Sequence, residues 1–101
     1  MTRFVFGCYV EADLREIRDH IAKQNPEAAR LMMVRFLSAF RLLAKHPSLG
    51  HSREDLAKAD INFWPVGTYL ILYVAHRRPI EILAVVHGAR DIPSILNRRG
   101  H

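Results

Sequence analysis

The spacing of apolar residues changes once along this chain, from a helical period in the first half to a strand-like one in the last third, and that change restricts the fold to an α+β arrangement. Val10, Leu14, Ile17 and Ile21 recur at intervals of four, three and four, which lays one apolar stripe on one helix face. Glu11, Asp13 and Glu16 crowd the start of that stripe, where the helix dipole favours negative charge, and Glu11/Arg15 and Asp19/Lys23 stand in the supportive i, i+4 order. Asn25 can then cap a second helix, with Pro26 in the first turn where its missing N–H costs nothing. That helix is predicted to run to about Lys45, with Ala29, Met33, Phe36, Phe40 and Leu43 facing inward and Leu37 and Ala44 widening the stripe. So short a connection makes the pair an antiparallel hairpin, which Pro47 and Gly50 bring to an end.

From Asp60 onward β-formers take over. Ile61 with Phe63, Tyr69 to Ala75, and Ile80 to Val86 predict three strands, joined at Pro65-Val66-Gly67 and at His76-Arg77-Arg78-Pro79. Connections this tight imply antiparallel neighbours. Phe4-Val5-Phe6, bounded by Gly7, predicts a further strand at the N-terminus. The last two strands are apolar at both parities, so the sheet is expected to be covered by the helix hairpin on one face and partly covered on the other. A short helical segment over Asp91-Ile92-Pro93-Ser94-Ile95-Leu96, capped by Asp91, could present Ile92, Ile95 and Leu96.

Residues 1–101 read as a single domain, without repeat, linker or low-complexity tract. No stretch approaches the roughly 18 uninterrupted apolar residues of a membrane span, and no basic region leads into a long apolar run, so a cytoplasmic protein without membrane contact is expected. Cys8 is the sole cysteine, which excludes an intramolecular disulfide and a thiolate cluster. The six histidines are scattered without metal-ligand spacing; neither metal nor cofactor is expected. The net charge of +5 and pI near 10.0 favour an anionic partner, either nucleic acid or an acidic protein.

Chemistry-bearing candidates concentrate in loops. Arg53 and Arg90 each stand beside a carboxylate, Glu54 and Asp91, where a loop meets a regular element. A structural ion pair is one use of Arg90 with Asp91; a guanidinium held for a phosphate or carboxylate is the other. Arg77, Arg78, Arg98 and Arg99 read first as solvated charges. His87, at the end of the last strand, could transfer a proton near neutral pH, or could bond a nearby backbone carbonyl. Phe63, Trp64, Tyr69 and Tyr73 could stack on bases, though strand alternation makes core packing their first reading.

Taken together, Ala12-Asp13-Leu14 in the first helix, the Pro47-Ser48-Leu49-Gly50 turn, Arg53, the strand entry Val66-Gly67-Thr68-Tyr69-Leu70-Ile71 and the ending His87-Gly88-Ala89-Arg90-Asp91 resemble the RelE/ParE superfamily of type II toxin–antitoxin toxins, with the ParE branch the better fit. The resemblance implies a helix hairpin packed on a small antiparallel sheet, and a cognate antitoxin that wraps around the toxin; DNA would be met only indirectly, through that antitoxin. The ParE branch implies DNA gyrase as the target, the RelE branch a metal-free ribonuclease acting on mRNA at the ribosome. A degenerate member acting only in autoregulation is a further alternative. Under the gyrase reading the target-binding residues are expected in the C-terminal segment: Arg90, Asp91, Ile92, Ile95, Leu96, Arg98 and Arg99. Under the ribonuclease reading the catalytic candidates are His87, Arg53 and Arg90. RelE-type members place lysines and arginines on the central strands, where this sequence has Asn62, Trp64 and Tyr69. Tyr9 and Val10 replace the serine-type helix cap of many relatives, which predicts a first helix shortened by a turn.

Overall fold

A computed structural model describes residues 3–58 and 60–101. Along the chain the elements are β1 (Phe4–Phe6), α1 (Val10–Ala22), α2 (Pro26–Lys45), a 3-10 turn (Pro47–Leu49), β2 (His51–Ser52), β3 (Ile61–Val66), β4 (Tyr69–Val74), β5 (Ile80–His87) and α3 (Ile92–Arg98). The described residues form a five-stranded sheet in the order β1-β5-β4-β3-β2.

β2 to β5 are antiparallel neighbours, but β1 runs parallel to β5 in the register Phe4 opposite Ile80 and Phe6 opposite Ile82, so the sheet is mixed rather than wholly antiparallel. The hairpin of α1 and α2 accounts for this: it carries the chain from the β1 edge across one face and delivers it to the opposite edge, from which the strands return by tight turns. Gly67, with φ of +60°, opens the two-residue turn between β3 and β4. Pro65 lies past the two-residue reach of β2, where β3 has no strand neighbour on that side among the described residues and a missing N–H breaks no ladder.

The two sheet faces hold two cores. Val10, Ile17, Phe36, Phe40 and Leu43 of the hairpin pack on Tyr69, Ile71, Tyr73, Ile80, Ile82 and Val85. On the opposite face Ile92, Ile95 and Leu96 of α3 cover Ile61, Phe63, Leu72, Val74, Ala84 and Val86. This explains the strands that are apolar at both parities. Phe63, Tyr69 and Tyr73 are therefore core residues, and Trp64 is half-buried against the same packing. Leu37 departs from expectation. It is 40% exposed, because the inward face of α2 is completed by Ala39 and not by position 37.

Asn25 caps α2 by accepting a hydrogen bond from the Ala28 N–H at 3.0 Å. Tyr9 gives α1 no side-chain cap, yet the helix begins at Val10 and is not shortened. The fully buried Val10 anchors that end, and Gly7 and Tyr9 carbonyls accept from the Val10 and Asp13 N–H groups. The i, i+4 pair at Asp19 does not close: Asp19 takes its neighbour Arg18 instead.

Candidate functional site

Because β1 pairs with Ile80 to Ile82, the later part of β5 has no strand on that side among the described residues. The gap between α1, β5 and α3 is a groove of about 700 Å³. α1 supplies Arg15 and His20 to its wall, Lys23 follows just beyond the helix end, and the C-terminal end of β5 and the loop after it supply His87 and Arg90. Lys23 lines the groove and remains exposed.

At the inner end stands an ion pair linking elements from the two ends of the chain. Asp13 is only 7% exposed. One of its carboxylate oxygens accepts from the Val85 N–H at 3.1 Å, and the two Arg99 terminal nitrogens donate to the carboxylate at 2.8 and 2.6 Å. The Asp13 hydrogen bond raises the pKa of Arg99 further above its ordinary value, against a smaller opposing effect of burial. The Arg99 guanidinium also lies 4.8 Å from the centre of the Tyr9 ring. Asp13 therefore satisfies a backbone donor on the open side of β5 while its charge is balanced by a bidentate fork. It falls on the apolar stripe, three residues after Val10 and four before Ile17, and that placement was the available signal that it is an interior group.

His87 ends β5 in a tight turn. Its Nδ1 accepts from the Ala89 N–H at 3.0 Å, where a bond to a backbone carbonyl was expected, and its ring meets Tyr69 edge-on at 5.4 Å. An accepting Nδ1 leaves Nε2 as the nitrogen that carries the proton. Arg90 is exposed and makes no ion pair among the described residues. Its expected partner, Asp91, instead caps α3, accepting from the Ser94 N–H at 3.3 Å and the Ser94 hydroxyl at 2.9 Å.

The C-terminal segment divides sharply. Ile92, Ile95 and Leu96 were expected at a partner surface, but they are buried against the sheet because its second face needed a cover. Arg99 is held inside by Asp13, while Arg90, Asp91 and Arg98 remain exposed. Arg53 does not join the groove. It pairs with Asp55 and not with Glu54, in an exposed loop, and its hydrogen bond holds the Asp55 carboxyl below its usual range. Arg77 pairs with Glu81, and Arg78 donates to the Ala75 carbonyl. Of the three ribonuclease candidates, the groove gathers His87 and Arg90 alone; it adds His20, a position the sequence did not single out.

The family model described as the ParE toxin of the type II toxin-antitoxin system, parDE, matches residues 8–92. The chain belongs to this ParE toxin family. A protein of Sinorhizobium fredii (strain NBRC 101917 / NGR234) named "Putative toxin Y4kP" is 34% identical over 88 residues, which span 82% of this chain and 84% of that protein. A solved structure titled "Chromosomal ParDE TA system from P. aeruginosa" superposes with a TM-score of 0.72 at 18% identity, covering 86% of this chain and 96% of that one, and so shares its fold. The α+β reading and the membership of the RelE/ParE superfamily both hold. Membership of a type II toxin–antitoxin family carries with it an antitoxin partner. No helix among the described residues is long and apolar enough to cross a membrane.

Proposed function

We propose that this ParE-family toxin acts by binding and inhibiting DNA gyrase, and that its antitoxin neutralises it by direct contact. The observation that carries the reading is chemical: β3, β4 and β5 bear no lysine or arginine. Cleavage of RNA by its own 2′-hydroxyl requires a base, an acid for the leaving oxygen and cations around the scissile phosphate. The sheet offers Asn62, Trp64 and Tyr69 in those places, each of them tied into packing or a hydrogen bond. The exposed cations Arg15, Lys23 and Arg90 on the groove margin instead suit carboxylates of an acidic protein surface.

The ribonuclease reading keeps one observation in its favour, the placement of His87, His20 and Arg90 along a single groove. Two assays on the purified protein divide the readings. Inhibition of gyrase supercoiling, with intact mRNA on programmed ribosomes, is the expected result. Ribosome-dependent cleavage without an effect on gyrase would reverse the assignment. Within the gyrase reading, Arg90→Ala is expected to weaken toxicity more than Arg18→Ala, whose arginine lies at a solvent-exposed pair with Asp19. Equal toxicity of the two variants at equal protein levels would remove Arg90 from the contact.

A further inference from the structure

The edge of β5 that borders the groove is only half used by the fold. In an antiparallel ladder the N–H and C=O of one residue point to the same side, and successive residues alternate. Gly88 donates to the Thr68 carbonyl at 2.9 Å, and Val85 donates to the Asp13 carboxylate at 3.1 Å. Val86 and Gly88 therefore point towards β4, while Val85 and His87 point into the groove. On that edge Asp13 takes the Val85 N–H, and the His87 carbonyl accepts from the Arg90 N–H at 3.0 Å. The Val85 carbonyl and the His87 N–H are left over, with no hydrogen-bond partner among the described residues.

This remaining pair has a direction. One residue of a strand running parallel to β5 satisfies both groups, its N–H reaching the Val85 carbonyl and its C=O accepting from the His87 N–H. An antiparallel strand would need both groups of Val85 or both of His87, and each of those residues has one group already taken. The edge also continues the line of β1, which pairs with Ile80 to Ile82 in the same parallel sense.

The walls select the charge of such a segment. Arg15, Lys23 and Arg90 are exposed along the groove and make no ion pair among the described residues. Asp13 is matched by Arg99, and Asp19 by Arg18. Glu16 alone is then left to set against those cations among the carboxylates of the wall. We infer that the groove takes an extended acidic segment of the target protein, added parallel to β5 at Val85 and His87, with its carboxylates meeting Arg15, Lys23 and Arg90. This rests on the reading that the chain inhibits gyrase by binding it. Main-chain bonds give such an added strand its register, and the cations make it selective for acidic sequence. His87 contributes here through its backbone, so a change of its side chain leaves the contact in place.

The test uses the full chain with purified gyrase holoenzyme. Amide hydrogen exchange resolved to single residues reads the His87 N–H and needs no variant. Its exchange is expected to slow at least about tenfold in the complex, as that of an amide drawn into a stable ladder does. Arg15→Gln combined with Lys23→Gln is expected to weaken gyrase binding about tenfold at low salt and to flatten its salt dependence. Arg41→Gln combined with Lys45→Gln removes as much charge from exposed positions outside the groove and should stay near the parent. Circular dichroism checks that both double variants are folded. Gyrase inhibition by a parent chain whose His87 N–H exchanges in the complex as fast as in the free protein would overturn the strand pairing and leave the gyrase reading intact. Equal weakening by the two double variants would overturn the acidic segment, since net charge and not the groove would then draw the target. If the parent does not bind gyrase at all, that reading falls and this one with it. Slowing of the same amide by mRNA on programmed ribosomes, and not by gyrase, would assign the groove to RNA.

Discussion

Asp13 is the single side chain on which most of the architecture converges. It lies in α1, accepts from the backbone of β5, and holds an arginine 86 positions away just beyond α3. A buried ion pair of this kind adds little net stability over an apolar replacement, because both charges were taken out of water, but breaking it from one side is costly. Asp13→Ala would leave the Arg99 guanidinium without its counter-charge and the Val85 N–H without its acceptor. The expected loss is about 3–5 kcal/mol, a large part of the roughly 5–15 kcal/mol that holds a domain of this size. Urea denaturation measures it. Asp13→Leu combined with Arg99→Met should recover much of the loss, since no charge is then stranded; a double variant as unstable as Asp13→Ala would show that packing, and not charge, governs the site.

At the scale of elements, the turn that ends the helix hairpin is fixed to the sheet by one phenol. The Tyr73 hydroxyl donates to the Pro47 carbonyl at 2.6 Å and accepts from the Gly50 N–H at 2.8 Å. A side chain at position 50 has no room, since its Cβ would fall 2.4 Å from the Tyr73 oxygen and 2.9 Å from the Phe63 carbonyl oxygen. Tyr73→Phe strands both backbone groups and is expected to cost about 1–3 kcal/mol. Burial raises the Tyr73 pKa, more than its hydrogen bonds from Gly50 and Asn62 lower it. The sign follows: the folded state prefers the neutral phenol, so this contribution is complete below the unfolded tyrosine pKa and is lost as pH rises through the folded one. A stability profile of the parent should therefore fall on its alkaline side, and that fall should be shallower in Tyr73→Phe. Two identical alkaline limbs would contradict the assignment.

The elements also show what a sequence can and cannot disclose. α1, α2 and α3 were legible because their signals are local: a stripe of Val10 and Ile17, an Asn25 cap, an Asp91 cap. β2 was not, since two exposed polar residues carry no period, and its pairing opposite Asn62 and Phe63 is set by the chain's return from the hairpin. The parallel direction of β1 is likewise decided by the path between strands and not by Phe4, Val5 and Phe6 themselves. The same holds at the candidate site. His87 and Arg90 could be singled out at a strand end, but Asp13 and Arg99 meet only through the tertiary fold, and Ile92, Ile95 and Leu96 look equally suited to a partner or to a core until the sheet's second face is seen to need them.

For the molecule as a whole, the groove beside α1 is where cations from both halves of the chain meet, Arg15 and Lys23 from one side and Arg90 from the other, with Glu16 and Asp19 in the same wall. The decisive residue for what happens in the groove is His87. Its Nδ1 is committed to the turn through the Ala89 N–H, so in the gyrase reading its role is to shape the loop that presents Arg90. Glutamine keeps much of the size and a hydrogen-bond acceptor but cannot shuttle a proton. His87→Gln is then expected to cost no more than a hydrogen bond, about 0.5–1.5 kcal/mol, and at most roughly tenfold in affinity for gyrase. A general acid or base behaves differently: its removal typically slows the chemistry by about 10²- to 10⁴-fold, and toxicity would collapse. Growth inhibition by His87→Gln at matched protein levels, read together with supercoiling inhibition and cleavage of ribosome-bound mRNA, separates the two. Retained toxicity with near-parental inhibition of gyrase is the outcome the geometry of this turn leads us to expect, and loss of an mRNA cleavage that the parent performs would make the groove a ribonuclease site.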